Sequence, residues 1–123
     1  MLKKTTNMNL TYTTSQTKEG IIIFNLSGKI LSKEDSEEIS NGIDENIEKE
    51  NFNIILNLEE LDYINSTGLN FIISSFTKMR NAGGELVISS VSQKVEDLLV
   101  ITKLNTIFTS FKSLTEAKES FSK

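Results

Sequence analysis

Residues 53–69 read Asn-Ile-Ile-Leu-Asn-Leu-Glu-Glu-Leu-Asp-Tyr-Ile-Asn-Ser-Thr-Gly-Leu, and the predicted architecture is built around them. The apolar run at residues 54–58 is typical of a buried strand in a parallel sheet, where both faces are covered. A polar turn is expected next. A helix should then begin at Ser66, because apolar residues recur every three or four positions from Leu69 to Met79.

Three polar side chains, Asn65, Ser66 and Thr67, lie at the predicted start of that helix. Residues of this type cap helices by accepting hydrogen bonds from unpaired backbone N–H groups. The same N–H groups, together with the positive end of the helix dipole, also favour an anion such as a phosphate. On these residues alone, a simple cap and a phosphate-accepting site are both open.

Composition favours one cytoplasmic globular domain. The chain has 123 residues, of which 37% are hydrophobic and 24% are charged, as in ordinary soluble domains. No apolar run approaches the roughly 18 residues needed to span a membrane. Residues 1–10 lack the apolar core of a signal peptide, so we expect the protein to stay in the cytoplasm.

The residue types that are missing argue against several functions. The chain has no Cys and no His, so it lacks the usual thiol and imidazole groups of catalytic and metal sites. Ser66 also lacks the Gly-x-Ser-x-Gly surroundings of a hydrolase nucleophile. With a net charge of −4 and Arg80 as its single arginine, the chain offers no basic patch for nucleic acid. We therefore expect a protein partner, and no enzyme activity, cofactor or metal.

The predicted element order is β-β-α-β-α-β-α-β-α, an α/β fold. Strands are expected at residues 10–16, 21–26, 54–58, 85–89 and 107–108, with Gly28 ending the second. Helices are expected from Ser32 to about residue 48, at 66–82, from Ser92 to about 103, and at 113–121. The acidic residues of the first helix are interpreted as a solvated face; they are Glu34, Asp35, Glu37, Glu38, Asp44, Glu45 and Glu48.

Strands separated by helices of this length predict a mostly parallel sheet with helices packed against it. The short turn after residue 16 makes the first strand an antiparallel N-terminal edge strand. The strand-to-helix turns of parallel strands share one end of the sheet. Residues 28–33, 59–67 and 89–92 should therefore lie together, with Ser66 in the middle.

Residues 56–69 resemble the signature of the STAS domain, in the small bacterial form known as anti-sigma factor antagonists. Matching features elsewhere are Gly28, residues 83–87, residues 104–108, and Ser113 with Ala117. The likeness covers about residues 9–121, which we take as the domain. Residues 1–8 are predicted to be a flexible N-terminal end.

The resemblance implies a partner switch. The unmodified antagonist would bind an anti-sigma factor that is also a serine kinase, and phosphorylation of Ser66 by that kinase would release it. A PP2C-type phosphatase would restore the serine, and Thr67 would support the helix start. A protein that meets its partners in turn is expected to be a monomer. The residues expected to contact the partner are Leu31, Ser32, Lys33, Asp62, Tyr63, Asn65, Ser66, Thr67 and Ser90.

Two positions depart from the pattern of the family, because Asn65 and Leu31 stand where Asp is common. These changes keep open a second interpretation, a STAS subunit of a larger assembly such as an ABC-type lipid transport system, which is never phosphorylated. A third interpretation is nucleotide binding in the cleft at the strand ends. Of the basic residues, only Lys29 or Lys33 would be placed to meet phosphates there.

Overall fold

The computed structural model describes residues 4–5, by their backbone, and residues 9–122. The strands are β1 (Lys4–Thr5), β2 (Leu10–Gln16), β3 (Ile22–Ile30), β4 (Asn53–Ile64), β5 (Glu85–Ser89) and β6 (Ser110–Phe111). The helices are α1 (Lys33–Glu48), α2 (Ser66–Asn81), α3 (Gln93–Ile101) and α4 (Leu114–Ser120), with a 3₁₀ turn at Leu104–Thr106. The mixed α/β architecture predicted from the sequence is confirmed.

The strands form a single sheet in the order β1-β2-β3-β4-β5-β6. The first two pairs are antiparallel and the remaining three are parallel. β1 was not predicted: it belongs to the expected flexible end, whose other residues, 1–3 and 6–8, lie outside the described residues. Because β1 pairs with β2, it is β1 that forms the antiparallel edge of the sheet.

The two faces of the sheet are covered by different helices. Residues on one face pack against the apolar sides of α1, α2 and α3, including Ile43, Ile72 and Leu99. On the other face, Ala117 of α4 packs against a smaller cluster that includes Ile55. Since successive residues of a strand point to opposite faces, β3, β4 and β5 each supply both clusters.

A row of hydrogen-bonded polar side chains crosses the face on which α4 packs. Asn25 donates from Nδ2 to Oγ1 of Thr13 at 3.1 Å, and Asn57 donates from Nδ2 to Oδ1 of Asn25 at 2.7 Å. Ser89 donates from Oγ to Oδ1 of Asn57 at 3.3 Å. The row therefore links β2, β3, β4 and β5, at positions that are directly paired in the sheet.

Two predicted strand ends were wrong, because both central strands continue further than expected. β3 runs through Gly28 to Ile30, and β4 runs through the expected polar turn to Ile64. The pairing register between them shifts on either side of Gly28, which has a φ of 113°. These irregularities let both strands extend, so Asn65 alone separates β4 from α2.

The last predicted strand, at residues 107–108, was also wrong. Phe108 is instead buried in the main core, where its ring meets that of Phe76 edge to face at 5.4 Å. The strand forms later, at Ser110–Phe111, next to Thr109, whose carbonyl accepts a hydrogen bond from the Ile88 N–H. Phe108 is thus a core residue and Ile107 is exposed, and the pairing with β5 is made by Ser110 and Phe111.

One residue of the acidic run does not belong to a solvated face. Asp35 is fully buried, whereas the other six acidic residues of α1 are exposed as predicted. The Asp35 carboxylate accepts hydrogen bonds from the backbone N–H groups of Leu31, at 2.7 Å, and Ser32, at 3.0 Å. It also accepts from the side-chain amide of Asn9. Asp35 therefore fixes the turn between β3 and α1.

Candidate functional site

The turn after β3 and the turn after β4 are joined through the side chain of Asn65. Its Oδ1 accepts hydrogen bonds from the N–H groups of Thr67, at 3.0 Å, and Gly68, at 3.2 Å. Its Nδ2 donates to the carbonyl oxygen of Leu31 at 2.9 Å. Asn65 is thus the N-cap of α2 and, at the same time, a bridge to the neighbouring turn.

We expect these two functions of Asn65 to be separable by mutation. Asn65→Ala loses the cap and the bridge and should lower the free energy of unfolding by about 2 kcal/mol. Asn65→Asp keeps the capping oxygen but can no longer donate to Leu31, so we expect a loss of about 1 kcal/mol. Urea denaturation would measure both values. An Asn65→Asp protein as stable as the wild type would show that the bridge contributes no more than the gain from a negative charge at the helix start.

Ser66 is the first residue of α2, and its side chain is exposed. The helix start beneath it is tightly packed: a Cβ atom added to Gly68 would lie 2.8 Å from Cβ of Ile64 and 2.9 Å from the carbonyl oxygen of Ile30. The start of α2 therefore packs closely against the ends of β3 and β4. Ser66, at this fixed position, is exposed to solvent.

An apolar groove of 430 Å³ runs beside Ser66, between the end of β4 and α3. Two of its apolar side chains are unusually exposed, Tyr63 at 46% and Ile101 at 77%. Leu31, in the turn bonded to Asn65, is a third exposed apolar residue at 36%. Exposed apolar clusters of this kind mark surfaces that bind other proteins. The groove is lined by Tyr63, Ile64, Asn65, Ser66, Lys94, Val95, Asp97, Leu98 and Ile101.

Several of the other residues predicted to contact the partner do not line this groove. Ser32 and Asp62 are exposed. Lys33 and Thr67 line a separate, more polar groove of 510 Å³ between α1 and α2. Ser90 is half-buried, with a φ of 60°, and its N–H donates to the carbonyl of Phe111 in β6. The described contacts of Ser90 thus point toward the sheet edge and not toward Ser66.

Sequence reasoning missed the contribution of α3 to this site. Lys94, Leu98 and Ile101 line the groove but were not among the expected contact residues. A signal was present in Ile101, an apolar residue that falls outside the buried stripe formed by Val95 and Leu99. Single exposed apolar residues are common on protein surfaces, and Val100 of the same helix is another, so this signal alone could not have identified the groove.

The described part of the chain offers neither a cluster of metal ligands nor a helix that could span a membrane. Within residues 4–5 and 9–122, no group of three acidic residues is placed to hold a metal ion. Over the same residues, no helix is both long enough and apolar enough to cross a membrane. Lys33 lies on the α1–α2 groove, and Lys94 is the cationic residue that lines the groove beside Ser66.

Comparisons with known proteins find a relative in sequence and several similar folds. BtrV of Bordetella bronchiseptica, which its name assigns provisionally to the anti-sigma factor antagonists, is 27% identical over 73% of this chain and 77% of its own. A Thermotoga maritima protein with a similar provisional description has a TM-score of 0.79 at 24% identity, covering 91% of this chain and 95% of its own. The phosphorylated form of SpoIIAA, a Bacillus cell fate determinant, has a TM-score of 0.71 at 16% identity, covering 89% and 98%.

The match to a family model covers most of the described chain. Residues 12–117 match the model of the STAS domain. This range begins within β2, ends within α4 and contains the whole of the candidate site. The chain therefore belongs to the STAS domain family.

Proposed function

We propose that this protein is an anti-sigma factor antagonist, with Ser66 as the residue whose phosphorylation controls binding. The observation that carries the proposal is the position of Ser66, an exposed hydroxyl group at the start of α2 and on the wall of an apolar groove. The partner would be an anti-sigma factor with serine kinase activity, met in the cytoplasm. Relatives described as anti-sigma factor antagonists support this assignment.

In the binding state, Ser66 would be unmodified and the groove would receive apolar side chains of the anti-sigma factor. Tyr63, Ile101 and Leu31 are exposed in the free protein, and covering them would remove apolar surface from water. The hydrogen bonds of Asn65 and Asp35 hold the two turns in place before binding. Little ordering of the backbone would then be needed when the complex forms.

The switching step would be an ordinary phosphoryl transfer. The Ser66 Oγ attacks the γ-phosphorus of ATP held by the kinase, the new O–P bond forms, and ADP leaves. The hydroxyl proton passes to a base of the kinase. A PP2C-type phosphatase would reverse the modification by hydrolysis, with water supplying the oxygen that leaves with inorganic phosphate.

Phosphorylation at this place would act on binding more than on the fold. A phosphoserine brings about −1.5 to −2 charges at pH 7, and the positive end of α2 tolerates them. The same charge on the wall of an apolar groove has to be desolvated when a partner covers the groove. The penalty therefore falls on the complex and leaves the free protein intact.

The decisive test is phosphate transfer from the anti-sigma kinase of the same organism. Incubation with kinase and ATP should add one phosphate by intact mass spectrometry, and Ser66→Ala should abolish it. Ser74→Ala is a matched control, because Ser74 is another exposed serine of α2. Phosphate that persists in Ser66→Ala would overturn the assignment. A stable complex without any transfer would contradict the switch, and the absence of both complex and transfer would favour the other interpretation, a permanent STAS subunit of a larger assembly such as a lipid transporter.

A further inference from the structure

Lys94 and Ser66 line the same apolar groove, one at the start of α3 and the other at the start of α2. Ser66 is the first residue of α2 and Lys94 is the second residue of α3, and both side chains line the same 430 Å³ space. Apart from Asp97, the other residues that line it are apolar or uncharged. Lys94 is therefore the single cationic side chain that shares this groove with the serine.

Lys94 has no fixed counter-charge in the described part of the molecule. The ion pair found there joins Lys78 to Asp44, at 2.9 Å, and lies between α2 and α1. Asp97, the acidic residue of the groove, accepts a hydrogen bond from Nε2 of Gln93 at 2.7 Å. The exposed ammonium group of Lys94 is thus free to take a new anionic partner.

We propose that Lys94 is the built-in partner of phosphorylated Ser66, and that their ion pair bridges the mouth of the groove. This inference rests on the proposed modification of Ser66. The lysine stem is long and flexible, so its ammonium group can reach toward a phosphate elsewhere in the same groove. The phosphate provides three acceptor oxygens for it.

The ion pair changes what phosphorylation does to the site. A phosphate alone adds charge to one wall and leaves the groove open to solvent. A phosphate paired with Lys94 places two bonded polar groups in the groove that Leu98 and Ile101 also line, where an apolar side chain of the partner would otherwise enter. The added charge and the blocked groove would then both oppose binding of the partner.

The pKa of the phosphate tests this pair directly. Phosphoserine placed at position 66 by genetic code expansion removes any need for the kinase, and ³¹P NMR then follows the second ionisation against pH. Because a nearby cation favours the dianion, Lys94→Gln should raise the second pKa of the phosphate by about 0.5. Lys94→Arg should restore the wild-type value, since it keeps the charge.

Lys118→Gln is the matched control, because it removes the same charge from α4, which packs on the opposite face of the sheet. It should leave the second pKa of the phosphate unchanged. Equal pKa values in the wild type and in Lys94→Gln would overturn the ion pair. That result would not touch the proposed switch, which fails separately if the kinase does not modify Ser66.

Discussion

Phosphorylation of Ser66 is expected to weaken the complex with the anti-sigma factor by about 10³- to 10⁴-fold, or roughly 4 to 5.5 kcal/mol. The reason is that a dianion on the groove wall must lose water when the partner covers Tyr63 and Ile101. Ser66→Asp carries a single charge and no tetrahedral group, so we expect a loss of about 10- to 100-fold. Isothermal titration calorimetry with the purified anti-sigma factor would measure each affinity.

Two substitutions serve as controls for this prediction. Ser66→Ala removes the hydroxyl group without adding charge and should bind within about threefold of the wild type. Ser74→Asp adds the same charge further along α2, on the groove shared with α1, and should have little effect. If Ser74→Asp weakened binding as much as Ser66→Asp, general charge repulsion would explain the result and the site would not be at Ser66.

Gly28→Ala is expected to destabilise the folded protein by about 4 kcal/mol. Gly28 has a φ of 113°, and a Cβ atom added there would lie on the carbonyl oxygen of Asn9, at 2.2 Å. That oxygen also accepts the N–H of Lys29 at 2.9 Å, where β2 and β3 begin to pair. Relief of the clash would therefore break the pairing of two strands.

Gly20 provides the comparison, because it has a similar positive φ of 89° but nothing within 4 Å of an added Cβ atom. Gly20→Ala should cost only the backbone strain, about 1 kcal/mol. Urea denaturation of both variants measures the difference. Equal losses would mean that the backbone conformation, and not the contact with Asn9, accounts for the requirement at position 28.

The effect of Gly28 should extend to the candidate site. Asn9 donates from its side chain to Asp35, which in turn holds the backbone of Leu31 and Ser32. A methyl group at position 28 would displace Asn9 and weaken its hydrogen bond to Asp35, and with it the support of the turn after β3. Amide exchange at Leu31 and Ser32 should therefore be faster in Gly28→Ala than in Gly20→Ala.

The centre of the fold and the position of Ser66 could be predicted because their signals are local. The apolar run of β4 and the spacing of apolar residues in α2 placed Ser66 at a helix start without any knowledge of the remaining chain. The site residues contributed by α3 could not be found in this way. Whether Ile101 is covered depends on where α3 lies against β4, which is a tertiary contact.

Strand ends and the last strand were mispredicted for a related reason. Glu59 and Glu60 look like turn residues, yet they extend β4 because the register shift beside Gly28 keeps the pairing with β3. Phe108 looks like a strand residue, yet it enters the core against Phe76. In both places a contact between distant residues outweighs the local preference.

The two departures from the family pattern meet each other in the structure. Asn65 donates its amide hydrogen to the carbonyl oxygen of Leu31, and an aspartate at position 65 would have no hydrogen to donate there. A carboxylate at position 31 would also bring negative charge close to this bond. The amide of Asn65 therefore joins the two turns through an uncharged hydrogen bond to the backbone of residue 31.

The row formed by Thr13, Asn25, Asn57 and Ser89 also bears on how the strands find their partners during folding. If β4 slipped by a single residue against β3, its side chains would exchange faces and Asn57 would enter the layer beneath the helices. An amide buried there without a partner costs about 1–3 kcal/mol. Isoleucine and leucine side chains pack almost equally well in a shifted register. The polar side chains of this row therefore help to disfavour pairing of β3 and β4 in the wrong register.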